Sequence, residues 1–228
     1  MKKRHVLLCV ALYGCTSVAA GDVEDHVYAG TKFVQEKNYK EAVREYQTAV
    51  AMDPKNAEAN LLLGLTLANA GDLEKAVQYS AAAVQLKPSY AGYSNLGLIY
   101  ARKEKYAEAA QAYESALKLN PTSFQAWHQL GKVYATYLKF DKAVEAYSKV
   151  IELNPKFVDA YQGLGSAYYW NGDKESALLQ VARLKELKFE DRARQLDDWI
   201  RDKEAKKKKS TPAAPVSPSV PPTPPAKA

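Results

Sequence analysis

A chain of 228 residues with 47% hydrophobic content can bury one sizeable core and still leave tails. Its formal charge of +6 sits at the ends: residues 1–20 carry +3 and residues 201–228 carry +5, which leaves −2 for the middle. That mildly acidic middle argues against a broad phosphate-binding face, and so against a nucleic-acid partner.

The opening stretch MKKRHVLLCVALYGCTSVAAG has a basic start, a short apolar run and small residues near Ala20. This is the layout of a secretory signal peptide over residues 1–20, with an apolar part too short to cross a bilayer comfortably. Cleavage near Ala20 removes both cysteines, Cys9 and Cys15. A second route stays open. Leu12-Tyr13-Gly14-Cys15 resembles the bacterial lipobox, in which case the signal ends at residue 14 and Cys15 is lipidated. A lipid on Cys15 is then the only membrane attachment expected, and the expected location is the periplasm or cell envelope.

Residues 23–189 repeat. Gly30, Gly64, Gly97, Gly131 and Gly165 follow one another in steps of 34, 33, 34 and 34 residues, and Ala42, Ala76, Ala109, Ala143 and Ala177 keep the same steps. Pro54, Pro88, Pro121 and Pro155 form a third series, with Phe189 in the fifth place. Three residue types in one register define five units: 23–56, 57–89, 90–123, 124–157 and 158–189.

Each unit reads as two amphipathic helices. In the third, Tyr93, Leu96, Gly97 and Tyr100 share one helical face, and Ala109, Tyr113, Ala116 and Leu117 share another after the polar turn at Lys103–Lys105. The proline then ends the second helix. A glycine inside a helix costs about 1 kcal/mol relative to alanine. The expected compensation is a close crossing of the two helices, glycine against the paired alanine. The least regular units are the second, with Ser80 in an aromatic position, and the fifth, with Val181 and Phe189.

The set Trp127, Leu130, Gly131, Tyr134, Ala143, Tyr147 and Pro155 resembles the tetratricopeptide repeat signature, and its register extends over about three quarters of the chain. The resemblance implies an all-α fold, a right-handed α-solenoid of five helix pairs, whose first helices line a concave groove for a protein or peptide partner. Carried over position by position, the stripe holds Val27 and Thr31, then Leu61 and Leu65, then Ser94, Leu98 and Arg102. His128 and Lys132 follow, then Gln162, Ser166, Tyr169 and Trp170. The groove candidates are Leu61, Leu65, Leu98, Arg102, His128, Lys132, Gln162, Tyr169 and Trp170, apolar toward the start, basic and aromatic toward the end. The leucines equally fit plain packing between helices. The basic and asparagine clamp of chaperone-binding members is missing, since its positions include Val27, Leu61, Leu65 and Leu98.

Beyond the signal segment only His26 and His128 remain, far apart in sequence, and no cysteine. No metal constellation and no cofactor are therefore expected. His26 and Trp127 share a register position with Tyr93 and Tyr161 and are expected in the core. Gly163-Leu164-Gly165 lacks the third glycine and the preceding strand of a dinucleotide loop. The expected function is a non-enzymatic adaptor or scaffold. The alternative is an accessory protein that takes a glycan or lipid fragment, stacked on Tyr169 and Trp170.

In residues 190–206, Ala193, Leu196, Trp199 and Ile200 recur at spacings of three and four, which predicts a capping helix over the last unit. Residues 207–228 start with lysines and continue with Pro212, Pro215, Pro218, Pro221 and Pro224, one every third residue. Such a composition cannot pack a core, so a disordered tail is expected. It serves either as a semi-rigid polyproline II spacer or as a docking segment for a polyproline-binding partner.

Overall fold

The computed structural model describes residues 20–210. The stretch expected to be a signal segment, with Cys15, and the proline-rich tail lie outside the described residues. Five helix pairs follow in chain order: α1 (Ala20–Gln35) with α2 (Tyr39–Met52), α3 (Ala57–Ala70) with α4 (Leu73–Leu86), α5 (Tyr90–Arg102) with α6 (Tyr106–Leu119), α7 (Phe124–Thr136) with α8 (Phe140–Leu153), and α9 (Val158–Trp170) with α10 (Lys174–Glu186). A longer helix, α11 (Glu190–Ser210), closes the series. Each second helix packs on its own partner and on the first helix of the next pair, so the expected all-α solenoid is the observed architecture.

Two kinds of link alternate, and sequence chemistry dictates both. Within a pair, the chain turns through a left-handed residue: Lys37, Gly71, Glu104, Leu138 and Gly172 all have φ between 57° and 94°. Around each, two amide N–H groups close back on the helix end; at Leu138 these are Leu138 to Ala135 O (3.2 Å) and Lys139 to Tyr134 O (2.8 Å). This pattern satisfies carbonyls that a helix end otherwise leaves free. Between pairs, Asp53, Lys87, Asn120 and Asn154 swing the backbone toward extended conformations, and a proline follows. The next helix then starts from a side-chain cap, as at Asn56, Ser89 and Ser123.

The last link breaks the alternation. Lys188 takes φ 63°, and Phe189 donates its N–H to Leu184 O at 2.9 Å. A proline in that place has no such donor, which is why the register position is Phe189 here. The turn into α11 is thus the within-pair kind.

The repeated glycines face something other than the alanines. A Cβ built on Gly30, Gly97 or Gly131 lands 2.7–2.9 Å from the ring of Tyr46, Tyr113 or Tyr147. Each glycine is a seat for a tyrosine ring from the second helix, and each of these tyrosines is buried. The alanine series (Ala42, Ala76, Ala109, Ala143, Ala177) is also fully buried. The second pair brings the glycine up against backbone: with Ser80 in the tyrosine position, a Cβ on Gly64 would lie 2.9 Å from Ser80 N and 3.1 Å from Ala76 O. The buried Ser80 hydroxyl accepts from Asn95 Nδ2 at 3.0 Å, so its polarity is satisfied by the next unit.

At the far end α11 covers the fifth pair. Ala193, Leu196 and Ile200 are buried against Tyr161, Ala177, Val181 and Leu184, and Leu196 occupies the space beside Gly165. The helix runs to Ser210, four residues past the expected end at 206. Lysines suit that position: they are good helix formers, their charge favours a helix C-terminus, and Lys206 pairs with Asp202 at 2.7 Å.

Two outcomes follow. Gly131→Leu drives a side chain into the Tyr147 ring, which is pressed on its other side by Gly163, and is expected to cost about 1–3 kcal/mol in urea unfolding; unchanged stability would refute the ring-seat account. A chain ended at Phe189 loses the cover of Leu196 and Ile200, each contributing about 1.5–3 kcal/mol when fully buried, and is expected to aggregate or melt at lower temperature. An equally soluble and stable truncation would show that α11 is no cap.

Candidate functional site

Because every second helix wedges between two first helices, α3, α5, α7 and α9 lie next to one another, and α11 continues the row beside α9. These helices share one stripe of side chains facing away from their partners. On α3 it runs Glu58, Leu61, Leu65, Asn69, residues three or four apart, while Ala59, Leu63, Gly64 and Leu67 on the other side are buried. On α5 the same stripe is Ala91, Ser94, Leu98 and Arg102, and on α7 it is Gln125, His128, Lys132 and Thr136. The sequence argument found the middle of each stripe and the end at Arg102, and missed the other ends, Glu58, Asn69, Ala91, Gln125 and Thr136, whose only signal was the register itself.

The structure divides the nine candidates. Leu65 and Leu98 are 37% and 40% exposed, in matching positions on neighbouring helices, with half-buried Leu61 one turn before Leu65. They form an open apolar strip. Lys132 is exposed beside it, and its ammonium group makes no hydrogen bond or ion pair among the described residues. Arg102 is less available, because its Nη1 donates to Ala68 O at 2.6 Å and so caps the end of α3 from the next unit. His128 is wedged between rings, 5.9 Å from Tyr147 and 4.9 Å from Phe157.

Gln162 and Tyr169 are not open wall, whereas Trp170 keeps about half of its surface exposed. Gln162 accepts from Arg192 (3.0 Å) and donates to Gln195 (3.4 Å), both on α11. The Tyr169 hydroxyl donates to Glu204, also on α11, at 3.0 Å, and Lys174 donates to the same carboxylate at 3.0 Å. Those two bonds, the lysine's first, hold the Glu204 carboxyl below the usual carboxylate range. Trp170 touches Phe140, Tyr169 and Trp199. The physical reason is that a terminal repeat must cover its exposed side, and here the cover lies on the stripe itself.

Two readings of core residues also change. Trp127 is half-buried, and its indole N–H donates to Pro121 O at 2.9 Å, clamping the link before α7. Asn60 and Tyr161 make the same contact to Pro54 and Pro155, each across the link from the preceding unit. His26 is partly exposed, with Nδ1 2.6 Å from Glu45. Sequence reasoning also missed two crevices between units. One, of about 310 Å³, lies among Leu117, Trp127, Leu130, Tyr134 and Ala146, with Glu114, Lys118, Lys142 and Glu145 around it. The other, about 350 Å³, is its equivalent one unit on, around Ile151, Tyr161 and Leu164.

Comparison with known proteins agrees with this architecture. A family model described as tetratricopeptide repeat matches residues 29–91, and one described as TPR repeat matches residues 97–136 and 139–172. Among solved structures, one of MamA is 28% identical with a TM-score of 0.68, covering 86% of this chain and 98% of its own. A second MamA structure is 30% identical with a TM-score of 0.63, covering 78% and 96%. YrrB, described as a TPR protein with an unusual peptide-binding site, shares the fold with a TM-score of 0.69 at 19% identity, covering 78% and 92%. None of the curated proteins matches the chain.

The setting of His128 has a consequence for pH. Burial, with the Lys132 charge adding to it, pushes its pKa below the ordinary 6.5. The unfolded chain therefore binds this proton more readily than the folded one, so stability is present above 6.5 and is lost as pH falls from there toward the folded value. Between about pH 7 and 5, His128→Phe is expected to lose less stability than the native chain in urea titrations. Equal losses would mean that the imidazole is solvated.

Proposed function

Because the chain belongs to the tetratricopeptide repeat family, we propose that it is a non-enzymatic adaptor that holds a protein or peptide partner against the stripe shared by α3, α5 and α7. The observation that carries this reading is the open strip of Leu65 and Leu98, flanked by Leu61, on an otherwise polar stripe. Water wets these leucines in the free chain, and apolar side chains of a partner gain by replacing it. Lys132, uncommitted and adjacent, supplies a charge for a carboxylate of the same partner. The two histidines support a binding rather than a catalytic role, since His26 is tied to Glu45 and His128 is packed among rings.

Export to the cell envelope, with or without lipidation of Cys15, belongs to the same reading and draws its support from the first twenty residues. Stacking of a glycan on Tyr169 and Trp170 gains no support from the geometry. The Tyr169 hydroxyl is bound to Glu204, and the Tyr169 and Trp170 rings stand at 77° to each other, so the two share no common stacking face.

Leu65→Glu and Lys132→Glu alter exposed positions and are expected to leave the melting temperature nearly unchanged. A buried leucine contact contributes about 1.5–3 kcal/mol, so partner affinity in crosslinked pull-downs from native envelopes is expected to fall about 10- to 100-fold in Leu65→Glu, and measurably in Lys132→Glu. Full retention of partners by both folded variants would overturn the groove.

A further inference from the structure

One apolar surface is left over by this function. At the turn between α7 and α8 and the end of α9, Trp170 is 49% exposed, Tyr137 43% and Leu138 72%. Phe140 lies nearly parallel to Trp170, with centroids 6.2 Å apart and planes at 19°, while Trp199 stands across Trp170 at 74°. The result is an aromatic ledge: Tyr169 and Trp199 stand edge-on to Trp170, and about half of the Trp170 surface stays open to water. We propose that the proline-rich segment of this same chain, residues 211–228, docks on this ledge at Trp170, Phe140, Tyr137 and Leu138.

The path of the chain makes that segment the nearest candidate. α11 passes directly over the ledge, with Lys203 Nζ 5.4 Å from the Trp170 ring and 5.7 Å from that of Trp199. From Lys203 to Ser210 the helix advances only about 10 Å, at about 1.5 Å per residue. Eighteen residues follow. In extended polyproline form they reach about 56 Å, at about 3.1 Å each, so the chain can turn back with length to spare.

Chemistry points the same way. Proline-rich segments bind aromatic-lined surfaces because little conformational freedom is lost and the pyrrolidine rings pack on the aromatic faces. Pro212, Pro215, Pro218, Pro221 and Pro224 recur every three residues, one per turn of such a helix, and so present one edge. The charges at the ledge are lysines, Lys203 over Trp170 and Lys139 over Tyr137, which disfavour a basic occupant. Residues 211–228 hold a single charged side chain, Lys227. Tethering supplies an effective concentration in the millimolar range, so even a shallow surface is filled.

The test uses the full chain. Its three tryptophans give three indole N–H resonances, and Trp127, bonded to Pro121 O, serves as the internal control. Replacing all five prolines of the series by serine is expected to shift the Trp170 resonance, leave that of Trp127 in place, and give a position independent of protein concentration. In Trp170→Ala, the amide signals of residues 211–228 are expected to move toward those of the free synthetic peptide. An unmoved Trp170 resonance in the serine variant, unmoved tail signals in Trp170→Ala, or a shift that grows with protein concentration and so reports a second copy, would each overturn the proposal.

Discussion

The structure depends on one contact repeated along the chain: a tyrosine ring from the second helix of a pair lying on a glycine of the first. Tyr46 on Gly30, Tyr113 on Gly97 and Tyr147 on Gly131 set the spacing within their pairs. The conformational penalty of a helical glycine is offset because any side chain there meets the ring. Tyr147 reaches further, to Gly163 of the next unit, so the same ring fixes spacing within one pair and between two. From that spacing follows the row of first helices, and from the row the shared stripe on which Leu65 and Leu98 become neighbours.

Much of this was legible. The 34-residue register named the helix pairs, and the extended links appear where the prolines predict them, because a missing N–H acts locally. What the register did not give was the partner of each glycine. Periodicity places Gly131, Ala143 and Tyr147 on buried faces but says nothing about which of them meet across a crossing. The same limit applies to Arg102: its charge and stripe position were visible, yet the carbonyl it caps, Ala68 O, lies one repeat back and only the stacking brings it near.

The end of the solenoid was the least legible part. Ala193, Leu196 and Ile200 announced a helix that needed a surface, and the sequence named the right surface, the fifth unit. Gln162 and Tyr169 nevertheless read as open groove, since a stripe position looks the same whether water or α11 covers it. The substitution of Phe189 for proline, taken as an irregularity, is what allows the turn that brings α11 there.

Ser80 has a reach beyond its own pair. Where the first, third and fourth pairs hold a tyrosine ring between their helices, α3 comes up against the main chain of α4 at Ser80. Leu61 and Leu65 ride on α3, and Asn95, which holds Ser80, belongs to the helix that carries Leu98. A single hydroxyl on α4 thus ties together, from the rear of the molecule, the two helices whose leucines face water.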